Sequence, residues 1–454
     1  MTPQTPIPLS DGRYTVPGNR WDLAADLTST PRSVAVVIPY FEQQADLDRA
    51  LAALQRQDYP ADLLEVVVAD DGSEQAPVIR ASGIRCTVVR QPDQGFRAAA
   101  ARNLGADAAS SDILCFLDAD AVPERRYVAN LVRLPSVVPD ALVVGRRRHA
   151  DLEGWTPEQL TRWWSGGPGP RELPEPRWLT DGYRASADLL DIDHRSYKYI
   201  ISSVMCCSRE VFAYCGGFDE SFVGYGGEDW EFAHRAVACG AVLHHARDAV
   251  AWHNGPDWGL RPVPGRAAAK NCEALALAPL ITDPDARAHG LRYEIPDVAV
   301  EIDAGCHSAG SLIATMACFL HLDVGIWIVG ADHGLMEALR LEDSRIHTGS
   351  VPDRVRKRCR FVVTVDGRAL LPRSGVDHLL GRSGGNGVGA VDARRGDVRV
   401  RCVSSWMANR VRRWTTGEVR FHDPAAVEGL GATVHVSGDD VGLTEAERDT
   451  DLSW

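Results

Sequence analysis

Residues 113–123 of this 454-residue chain read ILCFLDADAVP. Asp118 and Asp120 follow five apolar residues with one alanine between them, so along an extended chain their carboxylates point the same way. Two carboxylates side by side repel unless a cation sits near them, and hard oxygen ligands of this kind suit Mg2+ or Mn2+. Such an ion is most useful where it also grips a diphosphate. A second apolar run, LEVVVADDGS (64–73), ends in Asp70 and Asp71. A third acidic pair, Glu228-Asp229, opens a helical pattern after the glycine-crowded GGFDESFVGYGG (216–227). No Lys-Ser or Lys-Thr follows those glycines, so they do not make a phosphate loop. Acidic residues at a helix start are favoured by the dipole alone; the chemical reading is a general base, a carboxylate that takes a proton from an attacking hydroxyl. Of the histidines, His234 lies in the helix after that pair, His244 and His245 sit near a strand, and His253 stands in VAWHNG, just past an apolar run.

The elements that must carry these groups are legible in the spacing. SVAVVIP (33–39) is a continuous β-branched run stopped by proline, as in a strand buried on both faces. ADLDRALAALQRQ (45–57) places Leu47, Leu51 and Leu54 at helical spacing, and RAAAARNLGADAA (97–109) is an alanine-rich helix. With the runs at 64–73 and 113–117 this is a β-α-β-α-β alternation, hence an α/β sheet with right-handed crossovers. In such open sheets ligands bind outside the carboxyl ends of the strands, where the aspartates stand. Residues 1–30 read as a flexible or draped lead-in, and 150–190, with Trp155, Trp163, Trp164 and Trp178, as an irregular insertion over the sheet. Those tryptophans suit either an apolar lid or core or, at Trp163 and Trp164, contact with an acceptor sugar. After residue 290, DVAVEI (297–302), IWIVGADHGL (326–335) and RFVVTVDGRALLP (360–372) echo the first-half strands in order, with the paired aspartates mostly gone. The expected organisation is a lead-in (1–30), a catalytic α/β domain (31–285) and a second, degenerate or accessory α/β lobe (290–454).

Composition excludes several classes. The net charge of −13 argues against nucleic-acid binding through a basic surface and against docking on anionic lipid. No stretch reaches about 18 uninterrupted apolar residues, so no membrane span is expected. The N-terminus lacks a basic region followed by an apolar stretch, and the eleven cysteines, with no CxxC pair, read as reduced thiols. A cytoplasmic location is the expectation.

Taken together, VVIPYFE, VVVADDGS, QGFRAAAARNLGAD and FLDADAVP resemble the family 2 glycosyltransferases of the GT-A fold over roughly residues 33–255. The resemblance implies a UDP-sugar donor, a divalent metal (Mg2+ or Mn2+) and transfer with inversion to a hydroxyl of a soluble small molecule or a saccharide end. It implies that Pro39, Asp70 and Asp71 line the nucleoside, that Arg102 lies near the nucleotide, and that Asp118 and Asp120 face ribose and metal. GGFDE…GYGGED is similar to a segment shared with galactosyltransferases, which implies Asp229 as base, Glu228 at the acceptor and His253 as a metal ligand. Trp230 stands where galactosyltransferases carry another acid. Arginine-rich proteins of this kind include enzymes that glucosylate aminocyclitol antibiotic precursors, which implies glucose as the sugar. Two rivals were weighed. A nucleotidyltransferase needs a glycine-rich basic loop after the first strand, which VVIPYFEQQ lacks. A non-catalytic sugar-binding protein fits the second lobe but not the intact acids of the first.

Overall fold

The computed structural model describes residues 5–28, 30–80, 83–261, 265–384 and 387–453. They form two compact units: 12–237 with 241–276, and 277–453 with 5–11 and 238–240. Residues 5–11, part of the stretch read in sequence as a flexible or draped lead-in, group with the second unit.

In the first unit each long apolar run becomes a strand buried on both faces. The order is β1 (Val34–Tyr40), α1 (Gln44–Leu54), β2 (Leu64–Asp70), β3 (Arg85–Arg90), α2 (Ala98–Ala108), β4 (Ile113–Leu117), β5 (Ala121–Pro123), α3 (Tyr127–Val137), β6 (Ala141–Asp151), α4 (Pro157–Trp164), β7 (Arg171–Leu173), α5 (Arg177–Ala185), β8 (Val204–Ser208), α6 (Arg209–Cys215), α7 (Glu228–Ala238), β9 (Val242–Asn254) and α8 (Arg266–Leu277). The sheet runs β3-β2-β1-β4-β8-β6-β9-β5, with β7 beside β6. Strands β3, β2, β1 and β4 are parallel, as βαβ crossovers demand. Strand β8 enters antiparallel between β4 and β6, and β9 runs parallel to β6. Helix α1 buries Leu47, Leu51 and Leu54, the face that the spacing marked. Helix α2 lies hard on β1: a Cβ at Gly105 would come 2.4 Å from Val37 Cγ1, so only glycine allows that approach.

Two expectations change. The lead-in is docked from residue 12 onward, since buried Asn19 donates to the carbonyl of Leu243 (2.8 Å) and accepts from its N–H (2.8 Å). The 150–190 stretch is not wholly irregular, because Thr156 caps α4 with a reciprocal capping box and Pro157 opens it.

The second unit is built from β10 (Val298–Asp303), α9 (Ala309–Ala317), β11 (Val324–Val329), β12 (Ile346–Thr348), β13 (Phe361–Asp366), β14 (Ala369–Leu370), α10 (Arg373–Ser383), β15 (Val388–Arg395), β16 (Val398–Ser404), α11 (Ser405–Thr416), β17 (Ala432–Ser437) and β18 (Thr444–Glu445). Its sheet runs β12-β11-β10-β13-β16-β15-β17. Counting the seven principal strands of each sheet in chain order, both read 3-2-1-4-6-5-7. In both the sixth strand is antiparallel to its two neighbours, and the fifth and seventh are parallel. In both, a short strand just after the fourth pairs antiparallel with the chain's return: β5 with the end of β9, β14 with β18.

Candidate functional site

The site of the first unit lies where β1, β2 and β4 end and where β5 meets β9. Strand β4 stops at Leu117, and the next residues turn so that Asp118 accepts at its backbone oxygen from Ala121 N–H (3.0 Å). The β5–β9 register sets Ala121 opposite His253, and Asn254 N–H donates to the Asp120 carbonyl (2.9 Å). Asp120 is thereby brought beside His253, with Oδ2 3.1 Å from Nε2. The other oxygen, Oδ1, is buried and has no hydrogen-bond partner. Burial works to raise the Asp120 carboxyl, but His253 outweighs it and holds the group below its ordinary value. A buried carboxylate oxygen without a partner, next to an imidazole, is a donor set that suits Mg2+ or Mn2+.

Asp118 is tied differently. Arg102, on α2 and almost fully buried, donates from Nη2 to Asp118 Oδ1 (2.8 Å) and from Nη1 to Glu228 Oε1 (3.0 Å). One guanidinium thus joins the end of β4 to the start of α7. Burial opposes its charge, but the two carboxylates outweigh that and raise its pKa. The resemblance implied Arg102 near a nucleotide and Glu228 at the acceptor; in the fold Arg102 bonds both Glu228 and Asp118.

Asp229 follows on α7. The α7 start is shaped by Gly224, Gly226 and Gly227, all at positive φ, which a side chain resists. Oδ1 of Asp229 accepts from Trp230 N–H (2.8 Å), and the Ser202 backbone also bonds to the carboxylate. Burial pushes Asp229 up to about 7, Glu228 adds to the rise, and Arg102 opposes it. A carboxyl with a pKa of about 7 exchanges protons near neutral pH, as a general base must. The expected consequence is a pH profile: kcat/KM rises as pH climbs toward about 7, where the carboxyl loses its proton, and is level above it. A profile flat between pH 5 and 8 would show that another group takes the proton.

Asp70 and Asp71 are mainly occupied by protein groups. Asp70 is fully buried and accepts from Ser73 N–H (2.9 Å), while Asp71 accepts from Gln91 Nε2 (2.5 Å) and Arg97 N–H (2.8 Å) at the start of α2. Directly after the two aspartates comes Gly72 at φ +90°, where a Cβ would lie 2.2 Å from Asp93 N. Pro39 stands in β1 opposite Ala69, one residue from this strand end. Trp163 and Trp164 pack against an apolar cluster that includes Ala53, Val122, Leu160 and Trp252. Both remain partly buried, so this packing takes up part of their apolar surface.

Three features escaped the sequence reading. His149, on β6, has its ring centroid 4.9 Å from that of His253. Burial holds it down to about 4, with Arg147 and His253 adding, and its Nε2 is buried without a partner. Arg147, also on β6, pairs with Asp257 (2.9 Å) and reaches Ser203 Oγ (3.4 Å). Tyr225 stacks on Trp258 at 5.6 Å and 16°. The first two had a signal: VVGRRRHAD puts three arginines and a histidine into one long strand, which a plain buried strand does not carry.

A sheet of order 3-2-1-4-6-5-7 with carboxylates gathered at its parallel-strand ends is a GT-A fold, and the class it defines is that of the glycosyltransferases. Residues 35–189 match the family described as glycosyl transferase family 2, and 183–248 the one described as the N-terminal domain of galactosyltransferase, both within the first unit save for 238–240. The chain is 31% identical over 270 residues to validoxylamine A glucosyltransferase of Streptomyces hygroscopicus subsp. limoneus, covering 55% of this chain and 56% of that one. It is 28% identical over 290 residues to chondroitin synthase of Escherichia coli, covering 59% of this chain and 41% of that one. The chain thus spans little more than half the length of the first curated relatives it matches. A mannosyltransferase of Pyrobaculum calidifontis, solved in complex with GDP-Man and Mn2+, aligns at a TM-score of 0.38 and 18% identity over 60% of this chain and 70% of that one, a likeness that carries no weight. No helix among the described residues is long and apolar enough to cross a membrane.

Proposed function

We propose that the first unit is a metal-dependent, inverting glycosyltransferase that moves a sugar, glucose by its likeness to a glucosyltransferase, from a UDP-sugar to a hydroxyl acceptor. The observation that carries this reading is the tie through Arg102, which holds the strand end bearing Asp118 and the helix start bearing Asp229 in one site. Asp120 and His253 would hold the ion, which when bound offsets negative charge building on a departing diphosphate. Asp229 takes the acceptor's proton as its oxygen attacks the anomeric carbon; the glycosidic bond pair leaves with UDP, and the configuration inverts. Asp70, Asp71 and Pro39 flank the place left for the nucleoside.

The second unit is a copy of the same fold without that chemistry. Asp118-Ala119-Asp120 links the fourth strand of the first unit to the short strand that begins at Ala121; in the second unit the fourth strand ends at Asp366, and Gly367-Arg368 leads to the short strand that begins at Ala369. Ala121 registers with His253, and Ala369 with Glu445. Arg368 and Glu445 form an ion pair at those places. An arginine repels a divalent ion, so the place in the second unit that corresponds to Asp120 and His253 is not expected to hold one. Asp120→Ala is expected to lose one equivalent of bound Mn2+ per chain in a metal titration. Asp120→Ala is also expected to abolish metal-stimulated release of UDP from UDP-sugars. Full turnover in the presence of EDTA would remove the metal from the proposal.

A further inference from the structure

A cavity of about 450 Å³ opens between α5, strands β6 and β9, and the turn 187–189. It adjoins the candidate base through three consecutive residues. Ile201 lines the cavity, the Ser202 backbone bonds to Asp229, and the Ser203 carbonyl accepts from Asp118 N–H (3.3 Å). Ser203 Oγ is also the contact of Arg147, which lines the cavity too. The cavity wall at Ile201 is thus one residue along the chain from a backbone group that holds Asp229.

The wall is basic in a chain whose net charge is −13. Arg146, Arg147, Arg184 and Arg247 face two acids, Glu175 and Asp188. Arg146 is held by Glu175 through two bonds, at 2.6 and 3.1 Å. Arg184 and Arg247 stand at the rim with side chains 79% and 71% exposed, paired with Asp181 at 3.3 Å and Asp188 at 3.0 Å. Pairs so open to water are weak and rearrange readily around a better ligand. Deeper in, the Tyr183 ring lies flat on His245, centroids 3.6 Å apart and 4° from parallel. Asp188 Oδ1 takes His245 Nδ1 at 2.8 Å, while His245 Nε2 and Arg147 Nε are buried with no hydrogen-bond partner in the protein. The turn that delivers Asp188 holds Ala187, Asp188 and Leu189 all at positive φ, a run that non-glycine residues resist. Strain of this kind persists only where the surrounding structure enforces it, and it clusters at ligand sites.

The geometry points to this cavity as the acceptor site, built for a saccharide that carries an anionic group, a carboxylate or a phosphate, gripped by Arg184 and Arg247. The inference rests on the glycosyltransferase reading of the adjoining base. It favours an acidic sugar over an amine-bearing cyclitol, because an ammonium group would meet like charge at the rim. A planar guanidinium fits either anion in two-point fashion.

The test is calorimetric, on the full chain saturated with UDP and Mn2+, titrated with glucuronate, glucose 6-phosphate, glucose and glucosamine. Glucuronate or glucose 6-phosphate, or both, should bind about tenfold or more tighter than glucose, and glucosamine no tighter than glucose. Which acid wins tells carboxylate from phosphate. The affinity should fall as salt rises, and Arg184→Gln with Arg247→Gln together should bring the acid down to the level of glucose. Equal binding of charged and neutral sugars overturns the inference, as does an acid affinity that survives both substitutions. UDP binding by the unaltered chain separates the failures: if it holds, only the acceptor assignment falls; if it is absent, the glycosyltransferase reading and the acceptor assignment fall together.

Discussion

Asp229→Asn should lower kcat by about 10²- to 10⁴-fold, the usual worth of a positioned base, while the affinity for UDP stays within about twofold. Asparagine keeps the shape and can still accept from Trp230 N–H and the Ser202 backbone, the two contacts that seat the side chain. What it loses is the ability to take a proton. The same variant should lose the rise in rate toward pH 7, because the group responsible for that rise is gone. The two readouts guard each other. A loss of rate accompanied by an equal loss of UDP affinity would mean that Asp229 shapes the donor site instead of activating the acceptor. A rate loss that leaves the pH limb in place would mean that the titrating group is elsewhere. Inversion at the anomeric carbon, read by NMR of the product before mutarotation, is a separate check on the chemistry.

How much of this was legible beforehand depends on the range over which each feature is fixed. Strands β1, β2 and β4 are set by local runs of apolar, β-branched residues, so their limits were readable to within a few residues. Asp70 follows as the last residue of β2, but Asp118 and Asp120 lie in the turn after β4, not on an extended chain, so the strand period does not set which way they face. The pairing of Asp120 with His253 depends on the register of the short strand β5 against the end of β9, far away in the chain, which no local pattern encodes; only resemblance pointed to it. Arg102 shows the same limit from another side. An arginine on an alanine-rich helix reads as a ligand contact, and only the packed fold reveals that Asp118 and Glu228 have taken both of its terminal nitrogens. Trp163 and Trp164 are ambiguous in sequence because an apolar lid and a sugar platform use the same residue; in the fold both pack, partly buried, against the cluster that includes Trp252. The echo between the halves was a weak signal at the level of residues. It is plain at the level of topology, since strand order survives substitutions that erase sequence similarity.

Arg102→Met should be the most damaging single change to the first unit's stability. Removing one member of a buried ionic group leaves its partners charged and uncompensated, at a cost of about 3–5 kcal/mol. Here the partners are Asp118 and Glu228, and the Glu228 side chain is only 10% exposed. For a unit of this size each kcal/mol is worth about 2–4 °C, so the melting temperature should drop by roughly 6–20 °C. A purely structural tie would stop there. Arg102, however, also opposes the upward shift of Asp229. Without that positive charge the Asp229 carboxyl should hold its proton to higher pH, and the rising limb of the pH–rate profile should move upward from about 7. Arg102→Lys keeps the charge but not the fork that reaches two carboxylates, so it should leave the limb near its place while still costing stability. Adding Glu228→Gln to Arg102→Met removes one of the stranded charges. It should recover part of the melting temperature and pull the limb back down, since Glu228 is itself a cause of the Asp229 shift. If Arg102→Met melts lower but its pH limb does not move, Arg102 is a brace and nothing more. If limb and stability move together and the double variant reverses both, the guanidinium that joins the two halves of the site also tunes the base between them.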